Sequence, residues 1–245
     1  MTDEEIIALT NAPCYRGVDF ESINFSAVVP IWNRYYQAHR DNIRYRDKTE
    51  EQVASAFVKK FYKGYNNRPS VKAMRREQAT FADLLIDELV KLRIPEISNA
   101  QVDFIRKAHR FSMGLENVIG SILEEYIFTK SLNYGWATCW GSCVKAVDLC
   151  HRDGRLLQIK NKSNTENSSS SAIREGTTIQ KWYRMNAKTG ATCWDSLNDL
   201  LGITSDADKL SEAGFRAFTE DIVGNNLDGI IKNPGFSASD FRVNI

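Results

Sequence analysis

The chain has 245 residues, of which 42% are hydrophobic and 26% are charged, and its formal net charge is +1. This length can bury a proper core in one domain, and the composition is that of an ordinary globular protein rather than a disordered or fibrous one. No apolar run approaches the ~20 residues that span a bilayer, and the acidic start MTDEEIIALT lacks the basic segment of a secretory signal, so we expect a cytoplasmic protein without a membrane partner.

The charges are unevenly distributed along the chain. Residues 34–76 carry twelve Lys and Arg against four acids, and residues 143–194 carry nine against four, whereas segments 1–33, 77–142 and 195–245 are acidic. Two basic blocks in an otherwise acidic chain predict a surface for a polyanion. For the first block taken alone, a solvated helix face remains the alternative.

The cysteines give no sign of a disulfide framework. Their number, five, is odd, and without a secretory signal we expect reduced thiols. Four residues could be drawn as a zinc site: Cys139, Cys143, Cys150 and His151. Their spacing is not the paired Cys-x-x-Cys of zinc modules, so we favour small apolar side chains in strands.

Three stretches of the first half have the apolar spacing of an amphipathic helix. They are Glu50–Tyr65, Phe81–Leu92, which ends before Pro95, and Gln101–Leu132, with a possible interruption near Gly114. The first half of the chain is therefore predicted to be helical.

From Trp136 onward the period changes. The segments Trp136–Trp140 and Cys143–His151 are rich in strand formers, and Arg155–Lys160 follows across a turn, which predicts a β-hairpin. The polar tract NKSNTENSSSS then precedes the basic, aromatic segment IQKWYRM, a position that favours a functional loop over a spacer. After Trp194 the chain is predicted to be helical or irregular. We expect an α/β fold with a mixed central sheet flanked by helices and a helical N-terminal part.

The hairpin can bring three polar side chains together. Asp148 lies on its first strand, and Gln158 and Lys160, two residues apart, share one face of the second. A two-residue turn would pair Asp148 with Ile159 and put the acid on the wrong face. A three-residue turn that ends in Gly154 with a left-handed backbone pairs Asp148 with Gln158 instead. Glycine is preferred at that third position, so the sequence favours convergence of acid, amide and amine.

This convergence suits the hydrolysis of a phosphodiester. The Asp148 carboxylate and the carbonyl of Ile159 can hold Mg²⁺, which prefers hard oxygen ligands. The metal can polarise the phosphate and lower the pKa of a bound water. Lys160 can orient the nucleophile and stabilise the negative charge that builds on phosphorus.

The helix before the strands offers a third oxygen ligand. Glu124 lies on its apolar side, beside Gly120 and Leu123, and can point inward. We expect Glu125 to be solvated. Glu116, about two turns earlier, is the reserve candidate.

A helix Glu, an Asp on one strand and an acid-x-Lys on the next form the pattern of the PD-(D/E)XK nuclease superfamily. This chain departs from the pattern because Gln158 replaces the usual acid. A longer run, ENVIGSILEEYI, WATCWGSCVKAVDL and LLQIKNKSNTENSSSSAIREGTTIQKWYR, resembles the SinI-type restriction endonucleases. This resemblance covers residues 110–200 and is expected to extend over the whole chain.

The resemblance implies a Mg²⁺-dependent homodimer that cuts double-stranded DNA at a palindrome of the type GGWCC, with a cognate DNA methyltransferase as genetic partner. It assigns the nuclease motif to Asp148, Gln158 and Lys160 and the helix acid to Glu124. An amide binds a cation more weakly than a carboxylate does, so the site depends more on Glu124 or holds fewer metals. A structure-specific or repair nuclease of the same superfamily and a non-catalytic DNA-binding module with a relic site remain the alternatives.

We expect DNA contacts from the polar tract and the basic segment, because hydroxyls, amides and cations bond phosphates and base edges. The expected contact residues are Lys162, Ser163, Asn164, Asn167, Ser168, Ser169, Arg174, Thr177, Lys181 and Arg184. Arg174 is the first candidate for a bidentate guanine contact, whereas Trp182 and Tyr183 are expected to pack in the core. The chain is thus expected to be a single domain, 1–245. Within it we expect a helical, basic, DNA-facing region over 1–110, a catalytic core over 111–194 and an acidic C-terminal region over 195–245.

Overall fold

A computed structural model describes residues 1–71, 83–163 and 178–225 of the chain. Its helices are α1 (Asp3–Ala8), α2 (Phe25–Ala38), α3 (Glu50–Asn66), α4 (Leu84–Arg93), α5 (Asn99–Ser131), α6 (Trp194–Leu201) and α7 (Glu212–Asn225). Its strands are β1 (Trp136–Thr138), β2 (Leu149–His151), β3 (Leu156–Lys162) and β4 (Ile179–Met185). They form one sheet in the order β1-β2-β3-β4, antiparallel except for the parallel pair β3–β4. The predicted mixed sheet with a helical N-terminal part is confirmed.

The predicted helices form where their caps and apolar spacing place them. Thr49 begins α3 and Ser98 begins α5, each with a capping box that satisfies the first backbone amides. Helix α5 runs without a break for 33 residues, so the possible interruption near Gly114 does not occur. Helix α4 begins at Leu84 and buries none of its side chains within the described chain, although its spacing predicts an inward apolar face.

The sheet lies between two apolar layers because successive side chains of a strand point to opposite faces. One core contains residues of α1, α2 and α3 together with Ala137 and Cys150 of the sheet. The other contains residues of α5, α6 and α7 together with Leu149, Leu157 and Trp182. Gln158 and Lys160 follow the strand alternation onto the face of the first core, and Asp148 lies just before β2 begins.

Between β1 and β2 the chain is more irregular than its composition predicts. Strand β1 ends at Thr138, a 3-10 turn follows over Trp140–Ser142, and β2 begins only at Leu149. The reason is tertiary: the backbone of Gly141 packs so closely against Gly64 of α3 that a Cβ at Gly64 would overlap it. This close approach turns the chain away from the strand direction.

The cysteines of this region are thiols that pack in the core. Cys139 forms hydrogen bonds with Cys143 and Cys150, which together with burial raise the pKa of its thiol well above the usual value. In the described ranges no three His, Cys, Asp or Glu side chains are placed to hold a metal ion, so the structure gives no support to a zinc site. Among the described helices, none is long and apolar enough to cross a membrane.

Candidate active site

The turn between β2 and β3 has the three-residue form that the sequence favours. Gly154 has a φ of 95° and donates a 2.8 Å hydrogen bond to the carbonyl of His151, whose own amide donates to Arg155 at 2.9 Å. The register pairs Leu149 with Leu157, and Asp148, the residue before, contacts β3 on either side of Gln158, at the carbonyl of Leu157 and the amide of Ile159. The predicted three-residue turn is confirmed.

The Asp148 carboxylate is held at the point where β2 and β3 separate. Its Oδ2 accepts a 2.7 Å hydrogen bond from the backbone amide of Ile159. Its own amide donates to Leu157 at 2.9 Å, and its carbonyl accepts from Cys139 at 2.8 Å. Neighbouring segments on both sides therefore fix the acid, and its carboxylate takes the place of a strand carbonyl beside β3. Because the N–H and C=O of a strand residue point to the same side, the carbonyl of Ile159 faces this acid as well.

Gln158 places a polar acceptor in the interior at the same level. Its side chain is only 6% exposed, and its Oε1 is a buried oxygen without a hydrogen-bond partner among the described residues. Leaving such an acceptor unsatisfied costs ~1–3 kcal/mol. A bound cation would satisfy it, and an amide oxygen next to a carboxylate and a strand carbonyl is a donor set of the kind that Mg²⁺ accepts. These residues fit a hard divalent metal.

Lys160 follows Gln158 on the same face of β3 and is half-buried. The parallel register sets Lys181 of β4 beside Gln158, and Tyr183 beside Lys160. Two ammonium groups therefore lie on the sheet face that carries Gln158. Positive charge beside the buried amide of Gln158 is suited to binding a phosphate that a metal also contacts.

The structure distinguishes between two helix acids. Glu116 forms a 3.3 Å ion pair with Lys162 at an exposed position, which sets this turn of α5 beside the end of β3. Glu124 comes eight residues later, about 12 Å along the helix. Helix α5 packs against β3. Glu124 is half-buried and Glu116 is exposed, so burial favours Glu124 as the inward-facing acid.

Glu125 is not solvated, and the expectation from the sequence is wrong. It is 2% exposed and accepts hydrogen bonds from the amide and the hydroxyl of Ser70, and its Oε1 forms a 3.2 Å ion pair with Arg68. These partners lie 55 and 57 positions away in the chain. Helix periodicity carries no information about them, which is why sequence reasoning missed this cluster. It attaches the chain after α3 to the helix that carries Glu124.

The expected DNA contacts fall into three groups. The first group lies on the sheet: Lys162 is exposed on β3, and Lys181 is half-buried on β4. Ser163, in the same group, connects the two strands. Its amide donates to the carbonyl of Met185 at 3.0 Å, and its hydroxyl accepts from the amide of Ala187 at 2.9 Å. The second group lies outside the described residues: Asn164, Asn167, Ser168, Ser169, Arg174 and Thr177.

Arg184 forms the third group and corrects the expectation. It is 9% exposed, and its guanidinium forms a 2.7 Å ion pair with Glu212 and donates to Asn161 at 2.8 Å. Its charge is used to connect β4 with α7, so we do not retain it among the DNA contacts. Its neighbour Trp182 is buried, and its indole donates to the carbonyl of Cys193 at 2.9 Å, as expected for a core residue.

A mixed sheet of this order, with an acid just before its second strand and an amide-x-lysine on its third, is a restriction-endonuclease-like fold. The chain belongs to the SinI restriction endonuclease family, whose model matches residues 23–225. It is similar to the type II restriction enzyme Eco47I of Escherichia coli and the type II restriction enzyme SinI of Salmonella infantis. Each is 42% identical over 142 residues, which cover 55% of this chain and 60% of the relative. The matched region thus spans less than two thirds of either relative.

Proposed function

We propose that the protein is a type II site-specific deoxyribonuclease that hydrolyses phosphodiester bonds of double-stranded DNA with Mg²⁺. The observation that carries the proposal is the hydrogen bond from the Ile159 amide to the Asp148 carboxylate, which holds this acid against β3 at the residue after Gln158, whose buried Oε1 has no hydrogen-bond partner among the described residues. Lys160 lies on the same strand face. Membership of the SinI restriction endonuclease family supports the same activity.

In this proposal Asp148, Gln158, the carbonyl of Ile159 and Glu124 would hold the metal. When bound, Mg²⁺ would supply Lewis-acid chemistry at the phosphate and lower the pKa of a bound water. The Asp148 carboxylate is already oriented by Ile159, so it needs no rearrangement when substrate arrives. The ammonium of Lys160 donates to a non-bridging phosphate oxygen and stabilises the charge that develops there.

We further propose the target and the assembly that the sequence resemblance implies: a homodimer in the cytoplasm, with a methyltransferase as genetic partner, that cuts a GGWCC palindrome. A symmetric dimer reads a symmetric sequence because the same side chains meet each half-site. The central pair lies on the twofold axis. The minor groove distinguishes A·T from G·C but hardly A·T from T·A, so tolerance of either A or T at the centre is expected.

Digestion of a sequenced plasmid in Mg²⁺ tests this proposal. Discrete fragments whose ends map to GGWCC are the expected result, and Asp148→Asn, which keeps an acceptor for Ile159, is the matched inactive control. Nicking or cutting of branched substrates would indicate a repair-type nuclease instead. A gel shift without any cleavage would indicate a DNA-binding module with a relic site. Fragments that end at another sequence would overturn the target and leave the nuclease standing.

A further inference from the structure

A cationic cavity lies on the α2–α3 side of the sheet, next to the loop that leads into Asp148. It has a volume of about 470 Å³, and four cationic residues line it: Arg44, Lys48, Lys60 and Lys145. Among the described residues that line it, none is an acid. We call it the basic pocket. Four cations facing one cavity repel each other, so an anion bound there would be stabilised by all four.

The aromatic residues of the basic pocket are already used in packing. The Trp32 ring stacks on Phe57 with centroids 4.2 Å apart and on Tyr36 at 5.4 Å. Tyr45 packs edge-on against Tyr36 at 5.2 Å. A base or another flat ligand would have to compete with these contacts. The cations are therefore the groups that can meet a ligand, which indicates a phosphate rather than a nucleobase.

The wall of the basic pocket is a loop with an unusual backbone. Ser142 and Ala146, neither of them glycine, have φ values of 53° and 60°, a conformation that costs energy and is concentrated at functional sites. The ammonium of Lys60 donates to the carbonyl of Ser142 at 2.8 Å and helps to hold this shape. Val147, the next residue along, is 2% exposed, so the loop is anchored immediately before Asp148.

We propose that the basic pocket binds a phosphate of the DNA backbone close to the cleaved bond and positions Asp148 through the loop that joins them. This inference rests on the proposed function, since it takes duplex DNA as the ligand. Ala146 and Asp148 are two residues apart, which is at most ~7 Å of chain. Phosphates of one strand succeed each other at about 3.4 Å of axial rise. The bound phosphate is therefore within a few nucleotides of the cleaved one.

The salt dependence of binding tests the pocket. The variant is Lys48→Ala combined with Lys145→Ala, which removes two exposed cations and leaves the loop contact of Lys60 in place. Affinity for a duplex that contains GGACC is measured by fluorescence anisotropy in EDTA at several salt concentrations. Loss of one phosphate contact reduces the steepness of the plot of log association constant against log salt concentration by about 0.9. We expect this change for the variant with both GGACC and unrelated duplexes.

The matched control is Lys209→Ala. Lys209 is exposed and paired with Asp206 at 2.7 Å, and it precedes Leu210, which belongs to the core on the other side of the sheet. Its removal should leave the slope as in the original protein. Thermal unfolding of all proteins, with equal midpoints expected, shows that the pocket variant folds. A slope that is the same in the pocket variant and in the control would overturn the proposal.

The position of the phosphate is tested with duplexes in which one phosphate at a time is a neutral methylphosphonate. One position within a few nucleotides of the cut should weaken binding by the original protein and have no effect on the pocket variant. If every methylphosphonate weakens binding by the same factor in the original protein and in the pocket variant, the pocket proposal is wrong. If the protein cleaves no DNA but the pocket variant still has a smaller salt slope than the original protein, the pocket binds a phosphate and the proposed nuclease function is wrong. If the protein cuts plasmid but the two salt slopes are equal, the nuclease function stands and the pocket proposal is wrong.

Discussion

One oxygen of the Asp148 carboxylate accepts a 2.7 Å hydrogen bond from the backbone amide of Ile159, where β2 and β3 separate. An acid in this position is oriented by the sheet itself rather than by another side chain. Asparagine retains an oxygen acceptor but loses the negative charge. The role of the charge can therefore be separated from the role of the hydrogen bond.

Asp148→Asn is expected to fold and to bind DNA but not to cut it at ordinary Mg²⁺ concentrations. The reason is that a neutral amide holds the metal much less strongly than a carboxylate. Calorimetric titration of the protein–DNA complex with Mg²⁺ measures this directly, and Mn²⁺ should restore some of the activity. An unchanged affinity for the metal would remove Asp148 from the ligand set.

Gln158→Leu should change stability and activity in opposite directions. Gln158→Leu removes a buried oxygen without a partner among the described residues, so the free energy of unfolding in EDTA should stay equal or rise by up to ~1–3 kcal/mol. The same substitution should lower cleavage strongly because the oxygen is missing from the metal site. Gln158→Glu should bind Mg²⁺ more tightly and keep activity. Equal cleavage rates for the three side chains would show that Gln158 has no role in the reaction.

Lys160→Ala should slow the chemical step and leave binding almost unchanged. Loss of one electrostatic stabiliser lowers a rate ~100-fold or more. Single-turnover cleavage at saturating protein, together with gel-shift affinity, separates the two effects. Lys162→Ala is the comparison: this lysine is on the same strand but paired with Glu116 at the surface, so its removal should change the rate far less. A Lys160→Ala protein that cuts within threefold of the original rate would contradict the assignment.

Glu125→Ala should destabilise the protein by ~3–5 kcal/mol, since it removes one partner of a buried ion pair and leaves Arg68 without its carboxylate. The matched control is Glu116→Ala, which breaks an exposed pair and should cost ~0–1 kcal/mol. Urea unfolding of both variants gives the comparison. Equal losses of stability would mean that the Glu125 cluster does not hold α5 to the chain after α3.

Local chemistry in the sequence was sufficient for some features of this site. Gly154 at the third turn position selects the hairpin register, which brings Asp148 against β3 at Leu157 and Ile159. The capping boxes at Thr49 and Ser98 mark where α3 and α5 begin. These features depend on residues within a few positions of each other, so they can be predicted from the sequence alone.

Only the tertiary structure decided the rest. Glu125 is buried because Arg68 and Ser70 reach it from the end of α3, and Arg184 is withdrawn from the surface because Glu212 meets it from α7. Burial of a charge depends on whether an opposite charge arrives from a distant region of the chain. The spacing of residues within a helix or strand does not show which distant residue packs against it. The basic pocket has the same origin, because its cations come from two separate segments of sequence that only the packing of α3 against the loop before Asp148 brings together.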